Sequence, residues 1–471
     1  MEIYNSLSGN IERFTPIEKN KVVIYVCGLT PYDHAHLGHA RTYISFDIIK
    51  RYLTKMNYKI IHIQNITDVE DKIIKRAKES GKKPLEIAEY FQKKADAVFD
   101  ELNILKADFY PKASEHIKEI IKMIEKIIEN GYGYVSEDGV YFEVSKFNKY
   151  GKLSGQKLEF IKQGARIEIN ENKKNPEDFA LWKIESGDFV FDSPWGKGRP
   201  GWHIECSAMS MKYSKNRTLD IHGGGKDLSF PHHENEIAQT EAALGISFVK
   251  YWVHTGFLTV NEEKMSKSLG NFITVEDVLK KNSPNALRLF FSLTHYRSPV
   301  DYSEDGIDAA GKSIERILRT FEKLKECKPN NKGNGREYFS NEVELFYKYM
   351  ENDFDTPQAL ASFFELIKKI NSSFEEGIDE EALKYLEKEF SDILWILGIR
   401  LDKKIEMTEK TKKAINEIAK KYMDTDNKTI EQVLDKIREL RVNLRKEKNY
   451  SKSDEIREKL KKIGIEIEDK N

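Results

Sequence analysis

Residues 21–53 read KVVIYVCGLTPYDHAHLGHARTYISFDIIKRYL, and this stretch decides the fold. The apolar run from Val22 to Val26 predicts a buried strand, and the polar loop after it leads into a helix with apolar periodicity. A second apolar run over 58–63 completes a βαβ unit, whose crossover we expect to be right-handed. Ligands of such sheets bind at the carboxyl ends of the strands, so we expect a site at this loop.

The loop ends on His36-Leu37-Gly38-His39, at the predicted helix start. Backbone N–H groups at a helix N-terminus attract phosphate oxygens, and imidazoles donate hydrogen bonds to charge that develops on a phosphate. A glycine between them lets a flat ring approach the backbone closely. A lone pair of this kind more often belongs to a surface loop or a helix cap. Its interpretation therefore depends on the rest of the chain.

Composition narrows the class of protein. The chain has 471 residues, 39% of them apolar and 33% charged, which favours two to four domains. A formal net charge of −1 excludes a generally basic nucleic-acid binder, and we expect no DNA partner. We find no long apolar stretch and no leader, so we expect no membrane partner and a cytoplasmic location. Three cysteines argue against a disulfide scaffold and favour a reducing compartment.

A further predicted strand, later in the chain, runs into His222 and three glycines. Residue types that commonly bind metals follow it. His232 and Glu236 are spaced i, i+4 at the start of the next predicted helix, so they lie on one face and suit a single metal ion. Zinc requires four ligands, commonly thiolate and imidazole, and Cys27 and Cys206 both lie at the pocket side of the sheet. Read separately, Cys27 is an equally good core residue, and histidines at a helix start are often caps.

A lysine-rich motif, Lys264-Met265-Ser266-Lys267-Ser268, lies in a polar loop after another apolar run. We call residues 264–268 the signature loop. Two ammonium groups on a mobile loop can neutralise charge on a triphosphate as pyrophosphate leaves. Most lysine-rich loops are only solvated. Together with His36-Leu37-Gly38-His39, however, this loop indicates nucleotide chemistry.

With these motifs together, the chain resembles class I aminoacyl-tRNA synthetases, and more closely the cysteinyl-tRNA synthetase family. The resemblance covers essentially the whole chain. Its metal-ligand and glycine motifs are specific, whereas the two class-wide signatures alone do not name an amino acid. Leu37 replaces the isoleucine often found there, which is a tolerable change. The stretches that carry the resemblance are Tyr25-Val26-Cys27-Gly28, His36-Leu37-Gly38-His39, Asn65-Ile66-Thr67-Asp68, Asn175-Pro176 with Leu181-Trp182-Lys183, Gly201-Trp202-His203-Ile204-Glu205-Cys206-Ser207, Asp220-Ile221-His222-Gly223-Gly224-Gly225, Phe230-Pro231-His232-His233-Glu234-Asn235-Glu236 and Lys264 to Ser268.

The resemblance implies one zinc ion per subunit, which binds the thiol of the substrate L-cysteine. Zinc prefers a soft thiolate, and the hydroxyl of serine is a poor ligand at the same place. Discrimination against serine therefore needs no editing site. The zinc ligands that the resemblance implies are Cys27, Cys206, His232 and Glu236. The substrate-binding residues that it implies are Gly28, Thr67, Trp202 and Asp227, with Trp202 as a pocket wall and Thr67 and Asp227 at the amino and carboxyl ends of the amino acid.

The implied reaction has two steps. The carboxylate of cysteine attacks the α-phosphate of ATP, and the adenylate then passes cysteine to the terminal ribose of tRNA(Cys). His36 and His39 would stabilise the developing charge, and Lys264 and Lys267 would draw off pyrophosphate. The ATP-binding residues would be His36, Gly38, His39 and Lys267. Mg²⁺ would accompany ATP.

The implied fold is α/β, with a Rossmann-like parallel-sheet catalytic domain split by an insertion, then an all-α helical bundle and a small C-terminal domain. We expect the insertion to be structural or to contact the acceptor end. The expected parts are the first half of the catalytic domain at 1–131, the connective insertion at 132–200, the second half of the catalytic domain at 201–250, the signature-loop and stem-contact region at 251–305, the helical bundle at 306–400 and the C-terminal anticodon-recognition region at 401–471.

The C-terminal region has a modest basic excess on short amphipathic helices. Most of these residues suit a solvated helical face, and a subset suits contact with the tRNA anticodon stem. The basic residues concerned are Arg438, Arg441, Arg445, Lys446 and Lys448.

Two other functions remain open. One is a ligase that activates cysteine in the same way but joins it to an amino sugar; the region 401–471 argues against it, because a small acceptor needs no anticodon reader. The other is a catalytically inactive RNA-binding paralogue, which would have lost signature or zinc-ligand residues, whereas all are present. The expected partners are tRNA(Cys), ATP and L-cysteine, and we expect a monomer.

Overall fold

The structure of the protein is a computed structural model. It describes residues 1–156, 171–187, 189–260, 262–265, 271–401, 409–423, 425, 430–447 and 449–461. Strands β1 to β13 of the described residues are Glu2–Asn5, Asn10–Arg13, Lys21–Val26, Lys59–Gln64, Gly133–Val135, Gly139–Phe142, Phe179–Ile184, Gly198–Pro200, Leu219–Gly225, Val249–Thr255, Leu258–Val260, Glu263–Lys264 and Val300–Tyr302. Helices α1 to α15 are Leu37–Lys55, Asp71–Ser80, Pro84–Glu101, Ile117–Glu129, Trp202–Ser214, His232–Leu244, Val275–Leu279, Pro284–Ser292, Glu304–Glu326, Glu337–Glu351, Thr356–Glu376, Glu380–Leu397, Glu409–Ala419, Ile430–Lys446 and Tyr450–Lys461.

The central sheet is parallel, in the order β10-β9-β3-β4. Strand β3 lies inside it, and its residues Val22, Ile24 and Val26 are buried. A strand that is covered on both faces reads as a continuous apolar run, which is why 22–26 does not alternate. Strands β3 and β9 end side by side, since Val26 pairs with Gly223. The predicted α/β class with a parallel sheet is confirmed.

The predicted β-α-β order of 21–63 is also present as β3, α1 and β4. Helix α1 begins at Leu37 with His36 as its N-cap, so the histidine motif lies at the helix start, as predicted. The N-terminal strands β1 and β2 pair as an antiparallel hairpin before β3.

A second, antiparallel sheet is formed by the part of the chain that lies between β4 and β9 in the sequence. Its order is β5-β6-β7-β8, and β5 and β6 form a hairpin that turns at Asp138-Gly139. Strand β8 ends at Pro200, and α5 begins at Trp202. The last strand of the antiparallel sheet therefore leads directly into the helix that carries Cys206.

A small third sheet carries the start of the signature loop. Strand β11 pairs with β12 in antiparallel fashion and with β13 in parallel fashion. Strand β12 ends at Lys264, and the long helix α9 begins at Glu304, two residues after β13 ends. The same sheet thus joins the signature loop to the first helix of the C-terminal half.

Helices α9 to α12 pack around apolar residues such as Ile317, Phe346, Phe363 and Phe390, in a core that is continuous with that of the catalytic sheet. Helices α13 to α15 have a separate core, which includes Ile415, Val433 and Ile456. No helix in the described ranges is long and apolar enough to span a membrane.

A buried charge cluster joins the catalytic sheet to the helical bundle. Asp47 on α1 accepts hydrogen bonds from Nε of Arg51 at 2.8 Å and from Nη2 of Arg288 at 2.6 Å. All three side chains are at most 2% exposed. The other guanidinium nitrogens of the two arginines each donate to a backbone carbonyl, among them those of Trp395 and Leu397 in the last turn of α12. The positive charges of Arg51 and Arg288 are also stabilised by the negative C-terminal end of the α12 dipole.

We expect Asp47→Asn to lower the free energy of unfolding by roughly 3 kcal/mol, because two buried guanidinium groups would lose their shared counter-ion. Urea denaturation measures this. Asp192→Asn is the matched control: its side chain is 89% exposed and 3.8 Å from Lys197, so we expect a change below about 0.5 kcal/mol. Equal midpoints for the two variants would show that the buried cluster does not hold the junction.

Candidate active site

Four potential metal ligands converge at the carboxyl end of the central sheet. Cys27 follows β3, Cys206 lies on α5, and His232 and Glu236 lie in the first half of α6. One donor atom from each lies within 4.8 Å of the others, and all four residues are buried. Nε2 of His232 is 3.1 Å from Oε1 of Glu236, and Sγ of Cys27 is 3.7 Å from the same oxygen. Tetrahedral zinc separates its ligands by roughly 3.3 to 3.8 Å, so these spacings are close to what zinc requires.

The protonation states of the four residues suit a cation. Burial raises the pKa of the Cys27 thiol, and this thiol donates a hydrogen bond that lowers the pKa of Cys206 to about 6. Burial opposes charge on His232 and Glu236, but Glu236 raises the pKa of His232 to about 10, and His222 and His232 lower the pKa of Glu236 to about 2. The cluster thus presents a thiolate and a carboxylate, and a bound metal would displace the proton from His232.

Further histidines surround the four ligand candidates. Nε2 of His222 is 2.9 Å from Oε2 of Glu236, while its Nδ1 is 3.0 Å from the carbonyl oxygen of Tyr25. Nδ1 of His203 is 2.8 Å from Nδ1 of His232. These contacts orient His232 and Glu236, as hydrogen-bond partners of metal ligands commonly do.

His233 adds a second, overlapping group of possible ligands. Its Nε2 is 3.3 Å from Sγ of Cys27, and its Nδ1 is 2.8 Å from Nε2 of His254. Donor atoms of Cys27, Glu236, His222 and His233 also lie within 4.8 Å of one another. The group with Cys206 offers two sulfur donors, which zinc prefers over a single one.

The histidines at the start of α1 form a stacked pair. The ring centroids of His36 and His39 are 3.7 Å apart. Nδ1 of His36 accepts from the N–H of Gly38 at 3.1 Å, and Nδ1 of His39 accepts from the N–H of His36 at 3.3 Å. An imidazole that accepts at Nδ1 carries its proton on Nε2 when neutral. Burial, and then His36, hold the pKa of His39 well below its usual range, so this ring is a neutral Nε2–H donor.

The chain after the signature loop packs against this histidine pair. The N–H of Leu37 donates to the carbonyl of Ile273, and the N–H of Val275 donates to the carbonyl of Ala35. Met265 packs against the core cluster that contains Leu37. The structure therefore brings Met265, which directly follows β12, and the segment from Ile273 to Val275 close to the start of α1.

Gly28, Asn65 and Thr67 form a hydrogen-bonded group beside Cys27. Oδ1 of Asn65 accepts from the N–H of Gly28 at 2.8 Å, and Nδ2 of Asn65 donates to Oγ1 of Thr67 at 3.0 Å. A Cβ at position 28 would lie 1.5 Å from the carbonyl oxygen of Asn65, so only glycine fits. Because Thr67 accepts this bond, its hydroxyl proton is left to donate elsewhere.

Trp202 and Asp227 lie at the rim of the cluster. Trp202 is 43% exposed, and its ring centroid is 4.5 Å from that of His232. Asp227 is exposed in the short 3₁₀ turn Lys226–Ser229, which directly follows β9. An exposed aromatic ring that covers a buried ligand candidate suits the wall of a small-molecule pocket.

Comparison with known proteins matches this chain to two family models. The tRNA synthetases class I (C) catalytic domain matches residues 13–312, and a DALR domain matches residues 345–402. A cysteine–tRNA ligase of Thermococcus gammatolerans is 46% identical over 481 aligned residues, covering 100% of this chain and 97% of its own. A cysteine–tRNA ligase of Pyrococcus horikoshii is also 46% identical, with the same coverage.

The chain belongs to the cysteine–tRNA ligase family. It is therefore a ligase, a class I aminoacyl-tRNA synthetase, and its synthetase and DALR domains support ATP and tRNA as substrates. A methionyl-tRNA synthetase of Mycobacterium tuberculosis in complex with methionyl-adenylate has the same fold, with a TM-score of 0.61 at 15% identity over 81% of this chain and 90% of that chain.

Two of the residues predicted from the class I signatures lie at or beyond the limit of the described ranges. The backbone of Lys264 ends β12, and its side chain lies outside the described part of the structure, as does all of Lys267. The structure also adds residues that the sequence analysis left without a role, namely His203, His222, His233, His254 and Asn65. The sequence contains a signal for these histidines, because five of the chain's 11 histidines are clustered within 203–254. The signal for Asn65 is its place at the end of β4.

Proposed function

We propose that the protein activates L-cysteine with ATP and transfers it to the 3′ end of tRNA(Cys), with zinc bound by Cys27, Cys206, His232 and Glu236. The observation that carries the proposal is the convergence of these four buried residues at the sheet edge where α1 presents His36 and His39. Zn²⁺ at this site, when bound, would take the substrate thiol as a thiolate ligand, a place that the hydroxyl of serine fills poorly.

The chain's own residues supply the rest of substrate selection. Trp202 lies against His232 with its ring partly exposed to solvent, so it would form a wall of the amino-acid pocket. Thr67, held by Asn65, has a hydroxyl proton to donate to the substrate, and Gly28 permits the close packing against Asn65 that holds this group beside Cys27. Asp227, exposed at the rim, suits the α-ammonium of the substrate rather than its carboxyl end, because two carboxylates would repel each other. His222 and His203 hold Glu236 and His232 in place.

Activation of the carboxylate requires charge stabilisation at the α-phosphate of ATP. His39 is a neutral donor at Nε2, so it can hydrogen bond to the phosphate without a prior change of protonation. His36 presents the same nitrogen, because its Nδ1 is already engaged by Gly38. Lys264 and Lys267 of the signature loop would neutralise the leaving pyrophosphate, with Mg²⁺ bound to ATP.

The test is ATP-dependent attachment of radiolabelled cysteine to unfractionated tRNA by the purified protein, with serine in parallel. We expect charging with cysteine and none with serine. Cysteine-dependent ATP–pyrophosphate exchange without charging, even on tRNA from the source organism, would contradict transfer to tRNA and favour a small acceptor. Charging with serine at a comparable rate would contradict selection by the thiol.

Gly38 offers a test of the histidine pair. A Cβ at position 38 would lie 2.9 Å from both Nδ1 and Cε1 of His36, so the ring would have to move. We expect Gly38→Ala to lower kcat for ATP–pyrophosphate exchange roughly 10- to 100-fold, because a donor displaced by about 1 Å no longer stabilises the developing charge.

Gly311→Ala is the matched control, because Gly311 also lies in a helix, α9, and a Cβ there would make an ordinary contact 3.8 Å from that of Ala286. We expect the control to exchange pyrophosphate at the wild-type rate. Wild-type exchange by Gly38→Ala as well, with unchanged thermal stability, would show that the position of His36 does not matter.

A further inference from the structure

Arg41 is a buried cation on the helix that carries the histidine pair. It lies on α1, two residues after His39, and is 1% exposed. Burial lowers its pKa to about 10, so it stays charged at neutral pH, and no carboxylate of the described ranges offsets that shift. Its guanidinium donates instead to backbone carbonyls. The acceptors are the carbonyls of Phe291 at 2.7 Å and Thr294 at 3.4 Å for Nη1, and those of His295 at 2.8 Å, Tyr296 at 3.5 Å and Ser298 at 3.2 Å for Nη2.

Arg51, further along α1, is held differently. It is also buried, but it has Asp47 as a counter-ion at 2.8 Å and belongs to the cluster that joins the sheet to the bundle. Arg41 has only carbonyl dipoles, and that of Phe291 lies in the last turn of α8, where a cation is favoured. We call residues 291–298 the carbonyl segment. Arg41 and this segment hold each other in place, because a buried cation whose acceptors move away is left uncompensated.

The carbonyl segment also packs against the end of the central sheet. The N–H of Gly256, directly after β10, donates to the carbonyl of Tyr296 at 2.7 Å. A Cβ at position 256 would lie 2.2 Å from the carbonyl oxygen of Ser298, so the close approach requires glycine. The segment is therefore fixed between α1 and the chain that leads from β10 into β11.

The carbonyl segment continues into β13, which belongs to the sheet that carries Lys264. In this sheet Asp301 of β13 is paired with Thr259 of β11, and Thr259 is paired with Lys264 of β12. The side chains reinforce this register, since Oγ1 of Thr259 donates to Oδ1 of Asp301 at 2.7 Å. The backbone position of Lys264 is thus set from β13, and the start of β13 is set by the carbonyl segment.

The chain on the other side of the signature loop is attached to the same helix. The N–H of Leu37 donates to the carbonyl of Ile273. Leu37 and Arg41 are spaced i, i+4, so both attachments lie on one face of α1. The segments before and after the signature loop are consequently both tied to the helix whose first turn presents His36 and His39.

We infer that Arg41 is a positioning residue for adenylate formation: by binding the carbonyls of 291–298, it fixes Lys264 relative to the histidine pair. The inference rests on the proposed roles of Lys264 and the histidines in activation of cysteine. Stabilisation of the transition state requires both groups to lie within roughly 0.5 Å of their productive positions. Binding of cysteine at the metal-ligand cluster requires neither. Loss of Arg41 should therefore lower kcat and leave KM for cysteine unchanged.

The first measurement does not depend on activity. Arg41→Met and its matched control Arg51→Met each replace a buried guanidinium on α1 by a neutral, unbranched side chain, so both should lower thermal stability. Hydrogen–deuterium exchange is then followed in peptides that cover 256–260 and 296–302. We expect amide exchange there to be at least about 10-fold faster in Arg41→Met than in Arg51→Met, because only Arg41 holds the carbonyl segment.

The second measurement is cysteine-dependent ATP–pyrophosphate exchange. We expect Arg41→Met to lower kcat roughly 10- to 100-fold with KM for cysteine within about twofold of the wild type, and Arg51→Met to keep kcat within about twofold. Arg41→Lys keeps the charge but has three N–H donors instead of five, so its kcat should be intermediate. It replaces Arg41→Met in every comparison if that variant does not fold.

A double-mutant cycle separates positioning from a general loss of stability. We expect Lys264→Ala to lower kcat at least about 100-fold in the wild type and in Arg51→Met, but no more than about 10-fold in Arg41→Met, because the lysine is already misplaced there. The same loss in all three backgrounds would overturn the inference, and so would equal amide exchange in the two arginine variants.

Failure of the proposed function gives a different result. If the wild type exchanges no pyrophosphate, or if Lys264→Ala exchanges at the wild-type rate, the proposed activation step or the role of Lys264 in it is wrong. The amide-exchange comparison still decides whether Arg41 holds the carbonyl segment and the sheet that follows it.

Discussion

Cysteine-dependent ATP–pyrophosphate exchange is expected to fall at least about 1000-fold when Cys206 is replaced by serine, with zinc content lost in parallel. Cys206 is 1% exposed, and its pKa of about 6 makes it a thiolate at neutral pH. The hydroxyl of serine is not ionised there and is a poor zinc ligand. Since the proposed zinc is also the ligand of the substrate thiol, metal retention and cysteine binding should decline together.

Cys327→Ser is the matched control. Cys327 follows the end of α9, and its Sγ is 3.7 Å from the carbonyl of Lys328, far from α5 in the sequence and outside both possible metal-ligand groups. Zinc content, measured by atomic absorption after dialysis, and exchange should both match the wild type in this variant. Full zinc and full cysteine affinity in Cys206→Ser would contradict the ligand assignment.

Removal of residues 401–471 is expected to lower kcat/KM for tRNA charging at least about 100-fold while cysteine-dependent exchange changes less than about twofold. Helices α13 to α15 pack around their own apolar cluster, separate from the core of the catalytic sheet and bundle. The truncation therefore removes a small unit without opening the larger core. Charging and exchange are measured on the same preparation.

The outcome separates two roles of the C-terminal region. Equal loss of charging and exchange would make it a folding element and contradict a role in tRNA recognition. The structure already narrows the possible RNA contacts. Arg441, one of the basic residues in the sequence-based set, is buried and donates to the carbonyl of Ser453, so it supports the fold of this unit. Arg445 lies 3.6 Å from Asp454. Lys448 is outside the described residues.

Local patterns in the sequence were sufficient for the elements that position the site. The apolar run 22–26 and the periodic segment after Leu37 predicted β3 and α1, because burial and helical repeat are properties of neighbouring residues. The spacing of His232 and Glu236 likewise placed both on one face of α6. Family membership and fold class, predicted from the motifs, are confirmed by the comparisons.

Only the tertiary structure decided which distant groups meet. Cys27 and Cys206 approach the two α6 residues because β3 pairs with β9 in one register and α5 packs on α6, and neither contact has a local signature. The same packing brings in His203, His222, His233 and His254, and it buries the Asp47 cluster between sheet and bundle. The sequence by itself determined the donors and the helix faces that carry them. Their distances and their protonation were decided by long-range packing, because those properties depend on atoms that are far apart along the chain.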